Sequence, residues 1–265
     1  MSNSAPPVMC VLGLGEAGSR IAPGLAAAGA IVRAFDPKVS PPAGVEGFSS
    51  DADAARGASV VVALTSAHEA VETLELALPG MAEGTIYADL NTASASLKMT
   101  LASIAANVGV AFADVALMAP VPELKLRTPM LVSGPAAADY ASVLGALGAT
   151  VSVIDGPPGT AATRKLLRSV FYKGLAAAVT EALRAGRAAG CEDWLRNDIS
   201  QVLAGASAAT VDRLEQGSIR HARRRMDEMA AAGDLLDELG VPARVTRASQ
   251  EWLEQLIPES GPGPR

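Results

Sequence analysis

The chain has 265 residues, 49% of them hydrophobic, which suffices for one large or two medium domains and excludes disorder as the main state. A formal net charge of -6 argues against nucleic acid as a partner, and no uninterrupted apolar run approaches the roughly 20 residues of a membrane span, so a soluble protein is expected. The opening MSNSAPP shows neither the basic start nor the apolar run of a secretory signal, which makes the cytoplasm the expected compartment.

Cys10 and Cys191 are too few and too far apart for a disulfide framework or a metal site, and their apolar neighbours predict two buried structural thiols. No metal is expected. The charge is unevenly spread: residues 1–157 carry 7 Lys and Arg against 14 Asp and Glu, whereas residues 158–265 carry 15 against 14. The basic residues gather at TRKLLR and RHARRR.

In chain order, VMCVLGLG (8–15) is an apolar run ending in glycines, EAGSRIAPGLAAAGA (16–30) follows with helical spacing, and IVRAF (31–35) gives a second strand. A Pro/Gly-rich loop leads to a short helix at 51–57 and a third strand at 59–65. The alternation continues with helix 67–78, strand 84–90, helix 93–107, strand 108–115, strand 129–134, helix 136–147 and strand 149–155. Such alternation predicts an α/β, Rossmann-type doubly wound sheet, mostly parallel and covered on both faces. At GPPGT (156–160) Pro and Gly stop the last strand, and the remainder follows a helical period. Two domains are therefore expected, a dinucleotide-binding domain at 1–157 and an all-helical domain at 158–265. Residues 160–189 could form one helix about 45 Å long. Helices at 192–204, 207–238 (with a break at Gly217) and 242–256 follow, and the tail PESGPGPR is expected to be disordered.

Gly13-Leu14-Gly15-Glu16-Ala17-Gly18 lies between a strand and a helix, where each glycine has a distinct use. The first permits the tight turn, the second lets backbone approach a pyrophosphate, and the third lets helix and strand pack closely. The helix N-terminus then offers unpaired N–H groups to phosphate. Asp36 closes the second strand, where a carboxylate accepts from ribose hydroxyls and repels a 2'-phosphate, favouring NAD over NADP; Lys38 works the other way. Glu16 suits the helix dipole but would repel pyrophosphate, so it is expected to point away. The expected cofactor-binding set is Gly13, Leu14, Gly15, Glu16, Ala17 and Gly18, then Asp36, Pro37 and Lys38, then Leu64, Thr65 and Ser66, then Asn91 and Thr92.

Hydride chemistry at a hydroxyl needs a group that takes its proton. Lys165 is the candidate, because Arg164, Arg168 and partial burial in the first turns of the long helix would favour its neutral amine. Ser169 and Tyr172 follow at i+4 and i+7 on one helix face. The same RKLLR also reads as the solvated basic end of a helix. In RHARRRMDEM (220–229), His221 and Arg225 flank an apolar stripe, and an arginine there could clamp a substrate carboxylate or phosphate; an exposed face with salt bridges to Asp227 and Glu228 fits equally. His68, opening a helix, suits capping or surface use.

The glycine turn, the segment Asp89-Leu90-Asn91-Thr92 and GPPGTAATRKLL appear in order, and with them the chain resembles the β-hydroxyacid dehydrogenase superfamily, which includes 3-hydroxyisobutyrate and 6-phosphogluconate dehydrogenases and, more distantly, imine reductases. LRTPMLVSG (126–134), KLLRSVFYKG (165–174) and HARRRMDEM (221–229) look closer to a divergent 6-phosphogluconate-dehydrogenase-like branch. The resemblance covers nearly the whole chain. It implies an NAD(P)-binding N-terminal domain, a helical C-terminal domain that forms a homodimer, a substrate cleft between them, and Lys165 as general acid/base. Two departures stand out. Asp114-Val115-Ala116-Leu117-Met118-Ala119-Pro120 takes the place of the family's D-A-P-V-S-G-G, and Ser169 replaces an Asn four residues after the lysine.

These readings together predict hydride transfer between NAD(P) and a small, anionic hydroxy or oxo acid. Ser94, Met118, Arg127, Thr128, Arg168, His221 and Arg225 are the candidate substrate residues. Imine or ketimine reduction on the same architecture is the alternative, and the missing Ser-Gly-Gly also allows a non-catalytic nucleotide-sensing module.

Overall fold

The computed structural model describes residues 5–258 and divides the chain into two compact units, Met1–Arg168 and Ser169–Arg265. Eight strands build the first unit: β1 (Val8–Leu12), β2 (Ile31–Phe35), β3 (Glu46–Gly47), β4 (Val60–Ala63), β5 (Ile86–Asp89), β6 (Ala111–Leu117), β7 (Met130–Ser133) and β8 (Val151–Val153). They form one sheet in the order β3-β2-β1-β4-β5-β6-β7-β8. Every pair is parallel except β6 with β7. The exception follows from the connection: residues 118–129 supply only the four-residue α5 (Val121–Leu124) and a 3-10 turn at Lys125–Arg127, too little for the helical crossover that a parallel neighbour requires. The two-residue β3 lies inside the Pro/Gly-rich loop, where no alternating pattern announces a strand.

Strand β1 shows how the sheet is covered. Met9 and Val11 face a core built with α1 (Gly18–Ala27) and α6 (Ala137–Ala146), while Cys10 and Leu12 face a second core built with α2 (Asp51–Ala55), α3 (Ala70–Ala77) and α4 (Ala95–Ala106). All four side chains are 0% exposed, so both faces of the central strand are sealed, as a doubly wound sheet requires. Burial pushes the Cys10 thiol far above its ordinary range and makes it a core residue rather than a nucleophile. Cys191 differs from expectation. It is exposed, standing just before α8, where the turn at Gly190 turns it outward rather than into a core.

The long helix α7 (Thr160–Ala188) runs from the first unit into the second. In the second unit it is followed by α8 (Glu192–Ala204), α9 (Ala208–Arg220), α10 (Ala222–Glu238) and α11 (Arg244–Leu256). The break expected at Gly217 falls instead at His221, whose φ of -115° and ψ of 25° leave the helix. Gly217 stays helical, and the Arg225 guanidinium lies 3.0 Å from where its Cβ would be, with Nη1 donating to Ser218 Oγ at 2.8 Å. Glu181 of α7 caps α11, accepting from Val245 N, Thr246 N and Thr246 Oγ1 at 2.7–2.8 Å. Burial works against that carboxylate, but these donors outweigh it and hold its pKa below the ordinary value. Residues 259–265 of the expected disordered tail lie outside the described residues. Among the described residues no helix is long and apolar enough to cross a membrane.

Candidate functional site

The order of strands reverses at β1: the chain leaves β1 for β2 on one side and returns to β4 on the other. Their carboxyl ends therefore splay around a crevice, the place where open α/β sheets bind ligands. A cavity of about 600 Å3 opens there, and Gly13, Gly15, Asp36, Pro37, Lys38, Leu64 and Thr65 line it. Seven residues expected around a cofactor are thus gathered from three separate loops.

The three glycines differ in what a side chain would meet. Gly13 has φ +90°, and a Cβ on it would stand 2.5 Å from the Leu64 carbonyl oxygen. A Cβ on Gly18 would stand 1.9 Å from the Gly13 carbonyl oxygen. Both are held by protein packing alone. A Cβ on Gly15 would meet nothing within 4 Å, and this residue lines the cavity. The N-terminus of α1 follows at once, with no side chain capping it at Ala17. Open space beside Gly15 and uncapped N–H groups fit the diphosphate of a dinucleotide. Glu16 is exposed and absent from the cavity wall.

Asp36 braces the turn as well as facing the cavity. Its Oδ2 accepts from Leu14 N at 2.7 Å, and its Oδ1 accepts from Lys38 N at 2.8 Å and Val39 N at 2.9 Å. Burial works against the carboxylate, but the three backbone donors and the Lys38 charge prevail and lower its pKa below the ordinary value. A carboxyl whose folded pKa is depressed stabilises fully above its unfolded value of about 3.9 and loses that contribution as pH falls through the folded value. The difference in thermal midpoint between the wild type and Asp36→Asn should therefore be constant from pH 8 to about 5 and shrink below about 4. Thermal melts across that range check it.

The far wall of the cavity comes from α2 and α3 and includes Ser50, Asp51, Glu69, Glu72 and Leu76. The periodicity of the sequence places these helices but does not bring their acidic edges to the glycine turn. Burial, together with the Glu72 charge and against its own backbone N–H, raises the Asp51 pKa above the ordinary value. Ser66 is tied locally, donating to Glu69 Oε2 at 2.8 Å and accepting from Glu69 N at 3.3 Å.

Asn91, at the end of β5, is 6% exposed and donates from Nδ2 to Asp89 Oδ1 at 2.6 Å and to Thr65 Oγ1 at 3.4 Å, which ties it to a residue of the cavity wall. Thr92 and Ser94 are exposed, and Ser94 caps α4 by accepting from Leu97 N at 3.2 Å. Behind them lies a group that no motif in the sequence announced. Lys98 of α4 is 0% exposed, and its Nζ pairs with Asp89 Oδ2 at 2.8 Å and Asp114 Oδ1 at 3.2 Å while donating to the Asp89 carbonyl oxygen at 2.7 Å. Its signal in the sequence was a lysine in register with Leu101 and Ala105 on the buried stripe of α4.

Asp114 and Ser133 in turn hold the start of α7. Asp114 Oδ2 accepts from Gly159 N at 2.9 Å, Ala162 N at 3.1 Å and Ser133 Oγ at 3.2 Å, and Ser133 Oγ accepts from Ala161 N at 3.0 Å. Lys165 stands on the second turn of this anchored helix and is half-buried. Ser169, half-buried, and Tyr172, exposed, share its side of α7, and the Tyr172 ring meets Phe171 edge to face at 5.3 Å. Arg127 and Arg168 are exposed and Met118 is half-buried. Thr128 is fully buried and its hydroxyl donates to the Lys125 carbonyl oxygen at 2.8 Å, so it closes a turn and offers no surface to a ligand. His221 and Arg225 belong to the second unit, where Arg225 borders a groove with Leu214, Met229 and Trp252.

The model of the NAD binding domain of 6-phosphogluconate dehydrogenase matches residues 8–155, more than half of the chain. The chain belongs to this family. A domain of unknown function (DUF1932) matches residues 187–256. Among solved structures, a conserved hypothetical protein from Sinorhizobium meliloti 1021 is 29% identical, with 94% of this chain and 87% of that one covered and a TM-score of 0.61. An imine reductase from Myxococcus stipitatus in complex with NADP+ is 19% identical, covers 97% of this chain and 96% of its own, and has a TM-score of 0.83. The conserved protein MTH1747, of unknown function and described as structurally similar to 3-hydroxyacid dehydrogenases, is 24% identical, with 96% and 100% covered and a TM-score of 0.60. A comparison with curated proteins gives no match. As a member of the 6-phosphogluconate-dehydrogenase-like family, the protein is an NAD(P)-dependent dehydrogenase or reductase with a Rossmann domain and a helical C-terminal region.

Proposed function

We propose that this family member transfers hydride between the nicotinamide cofactor and a small, anionic hydroxy or oxo acid, with Lys165 as the general acid/base. The observation that carries the proposal is the anchoring of Lys165: its helix begins on three backbone hydrogen bonds to Asp114 and Ser133 in the sheet beside the glycine turn. When bound, the cofactor accepts or supplies the hydride. In oxidation, Lys165 as the free amine takes the proton from the substrate hydroxyl; in reduction, its ammonium returns a proton to that oxygen. Ser169 and Tyr172, on the same side of α7, orient the reacting oxygen. Asn91 and Thr92 bind toward the nicotinamide, and Ser94, Met118, Arg127 and Arg168 shape the acid's site.

A panel of hydroxy acids, keto acids and cyclic imines, offered with each cofactor and followed by nicotinamide absorbance, tests this reading. Turnover of the acids supports it. Imine reduction is the second reading, favoured by the likeness to the Myxococcus stipitatus imine reductase over 97% of the chain, and turnover of imines alone would replace the first. Cofactor binding without any turnover would make the protein a nucleotide-sensing module.

The preferred cofactor under this proposal is NAD. Asp36, Asp51, Glu69 and Glu72 face the cavity against the single cation Lys38, a balance that repels a 2'-phosphate. NADH should bind at least tenfold tighter than NADPH, and Asp36→Ser should narrow that ratio; equal affinities in the wild type would overturn the preference. A homodimer through the helical unit also fits, because Trp194, Val202, Val211 and Trp252 are 63–67% exposed in one chain. Light scattering should then give twice the 26.8 kDa chain mass. The proposed compartment is the cytoplasm.

A further inference from the structure

The buried cluster Lys98–Asp89–Asp114 calls for an explanation that stability does not supply. An ion pair with 0% exposure is costly to desolvate, and well-packed apolar side chains of similar volume are often as stable or more so. Its geometry is that of charge pairing: the Lys98 ammonium donates to the Asp89 carbonyl oxygen at 2.7 Å and stands 2.8 Å from Asp89 Oδ2 and 3.2 Å from Asp114 Oδ1, two buried oxygens that have no hydrogen-bond partner among the described residues and are balanced by its charge alone. The remaining oxygens point in two directions. Asp89 Oδ1 takes the side-chain nitrogen of Asn91 at 2.6 Å, and Asp114 Oδ2 takes the first backbone N–H groups of α7, Gly159 at 2.9 Å and Ala162 at 3.1 Å.

The consequence at Asn91 is chemical. A carboxylate only accepts, so the Asn91 atom facing Asp89 is the nitrogen, and its second hydrogen goes to Thr65 Oγ1 at 3.4 Å. With both N–H groups taken, the group that Asn91 has to offer a ligand is its amide oxygen. The ammonium of Lys98, 2.8 Å from Asp89 Oδ2, fixes the Asp89 side chain in place and thereby keeps the Asn91 amide from flipping.

We infer that Lys98, Asp89 and Asp114 form a positioning triad in which Asp89, held by Lys98, locks Asn91 as a hydrogen-bond acceptor for the nicotinamide half of the cofactor, and Asp114 fixes the first turn of the helix that carries Lys165. The inference rests on the cofactor assignment and on the placement of Asn91 toward the nicotinamide. None of the three triad residues touches the ligand. They act through Asn91 and through the backbone of α7.

The test compares two probes. Reduced cofactor carries the nicotinamide, whereas ADP-ribose with the same 2' substituent carries only the adenosine and diphosphate; both are titrated by calorimetry into the full-length protein. The wild type should bind both. Asp89→Asn, whose amide can present either atom to Asn91, should lose tenfold or more in affinity for reduced cofactor while its ADP-ribose affinity stays within about twofold. Asn91→Ala should show the same selective loss, and the double variant should lose no more than either alone, because both substitutions remove one interaction. Equal weakening of both probes, no weakening of either, or additive losses in the double variant would overturn the inference. If Asp89→Asn does not fold, Asn91→Ala still decides, since unchanged affinity for reduced cofactor in that variant is equally fatal. Asp114→Asn should leave both affinities in place and raise amide hydrogen exchange at Gly159 and Ala162; unchanged exchange would remove the α7 half of the proposal. Wild-type protein that binds neither probe refutes the cofactor assignment itself, and binding of ADP-ribose equal to that of reduced cofactor in every variant refutes the placement of Asn91.

Discussion

Lys165→Ala should bind reduced cofactor with wild-type affinity, within about twofold, and turn over its substrate 100- to 10,000-fold more slowly, the usual range for loss of a positioned general acid/base. The separation of the two effects comes from where the residue stands. The cavity proposed for the dinucleotide is built from the loops after β1, β2 and β4 together with α2 and α3, and Lys165 is not part of its wall. The first turn of α7 is held by backbone N–H groups on Asp114 and Ser133, which alanine at 165 retains while favouring the helix. Stopped-flow binding and steady-state turnover on the best substrate of the panel check the two halves separately. Turnover that survives in the alanine variant would remove Lys165 from the chemistry.

Alanine at the glycine turn should divide into two opposite outcomes. At Gly18, the new Cβ would press to 1.9 Å from the Gly13 carbonyl oxygen, and a backbone group cannot swing aside. Relief requires α1 to move off β1, and overpacking of this kind costs about 1–3 kcal/mol, which is a large share of the stability of a domain. The thermal midpoint should fall by several degrees, with cofactor affinity lost alongside it. At Gly15 the new methyl meets no protein atom within 4 Å and the backbone is outside the left-handed region, so the midpoint should stay within about 2 °C of wild type. The methyl instead takes up space on the cavity wall, and dinucleotide affinity should drop tenfold or more. Calorimetric melts and cofactor titrations on the two variants distinguish a glycine kept for packing from one kept for a ligand.

Much of this architecture was legible because it is written locally. The alternation of apolar runs with helical spacing marks the strands and helices of the first unit other than β3 and α5, and the ends of β2 and α8 fall where the pattern puts them. The break at His221 was misplaced for a local reason too: glycine disfavours a helix, but Gly217 is retained inside α9 because the Arg225 guanidinium lies across it. Cys191 was read as buried from apolar neighbours in sequence, whereas its exposure is set by the turn that ends α7. Thr128 illustrates the same limit at the site, since nothing in its neighbours reveals that its hydroxyl is committed to the Lys125 carbonyl.

By itself the sequence determined the class of cofactor and the strand-turn-helix shape of the glycine segment, because strand, Gly13-x-Gly15-x-x-Gly18, helix, strand and Asp36 are contiguous and each constrains its neighbour through short-range backbone geometry. Tertiary structure alone decided what surrounds that turn. The acidic wall from α2 and α3 meets the glycines only because the strand order reverses at β1. Lys98 reaches Asp89 and Asp114 only because β5 and β6 are parallel neighbours whose residues 89 and 114 are paired in register, with α4 packed against them. Those contacts join residues far apart in the chain, and helical or strand periodicity specifies which face a side chain occupies but not which distant side chain it meets.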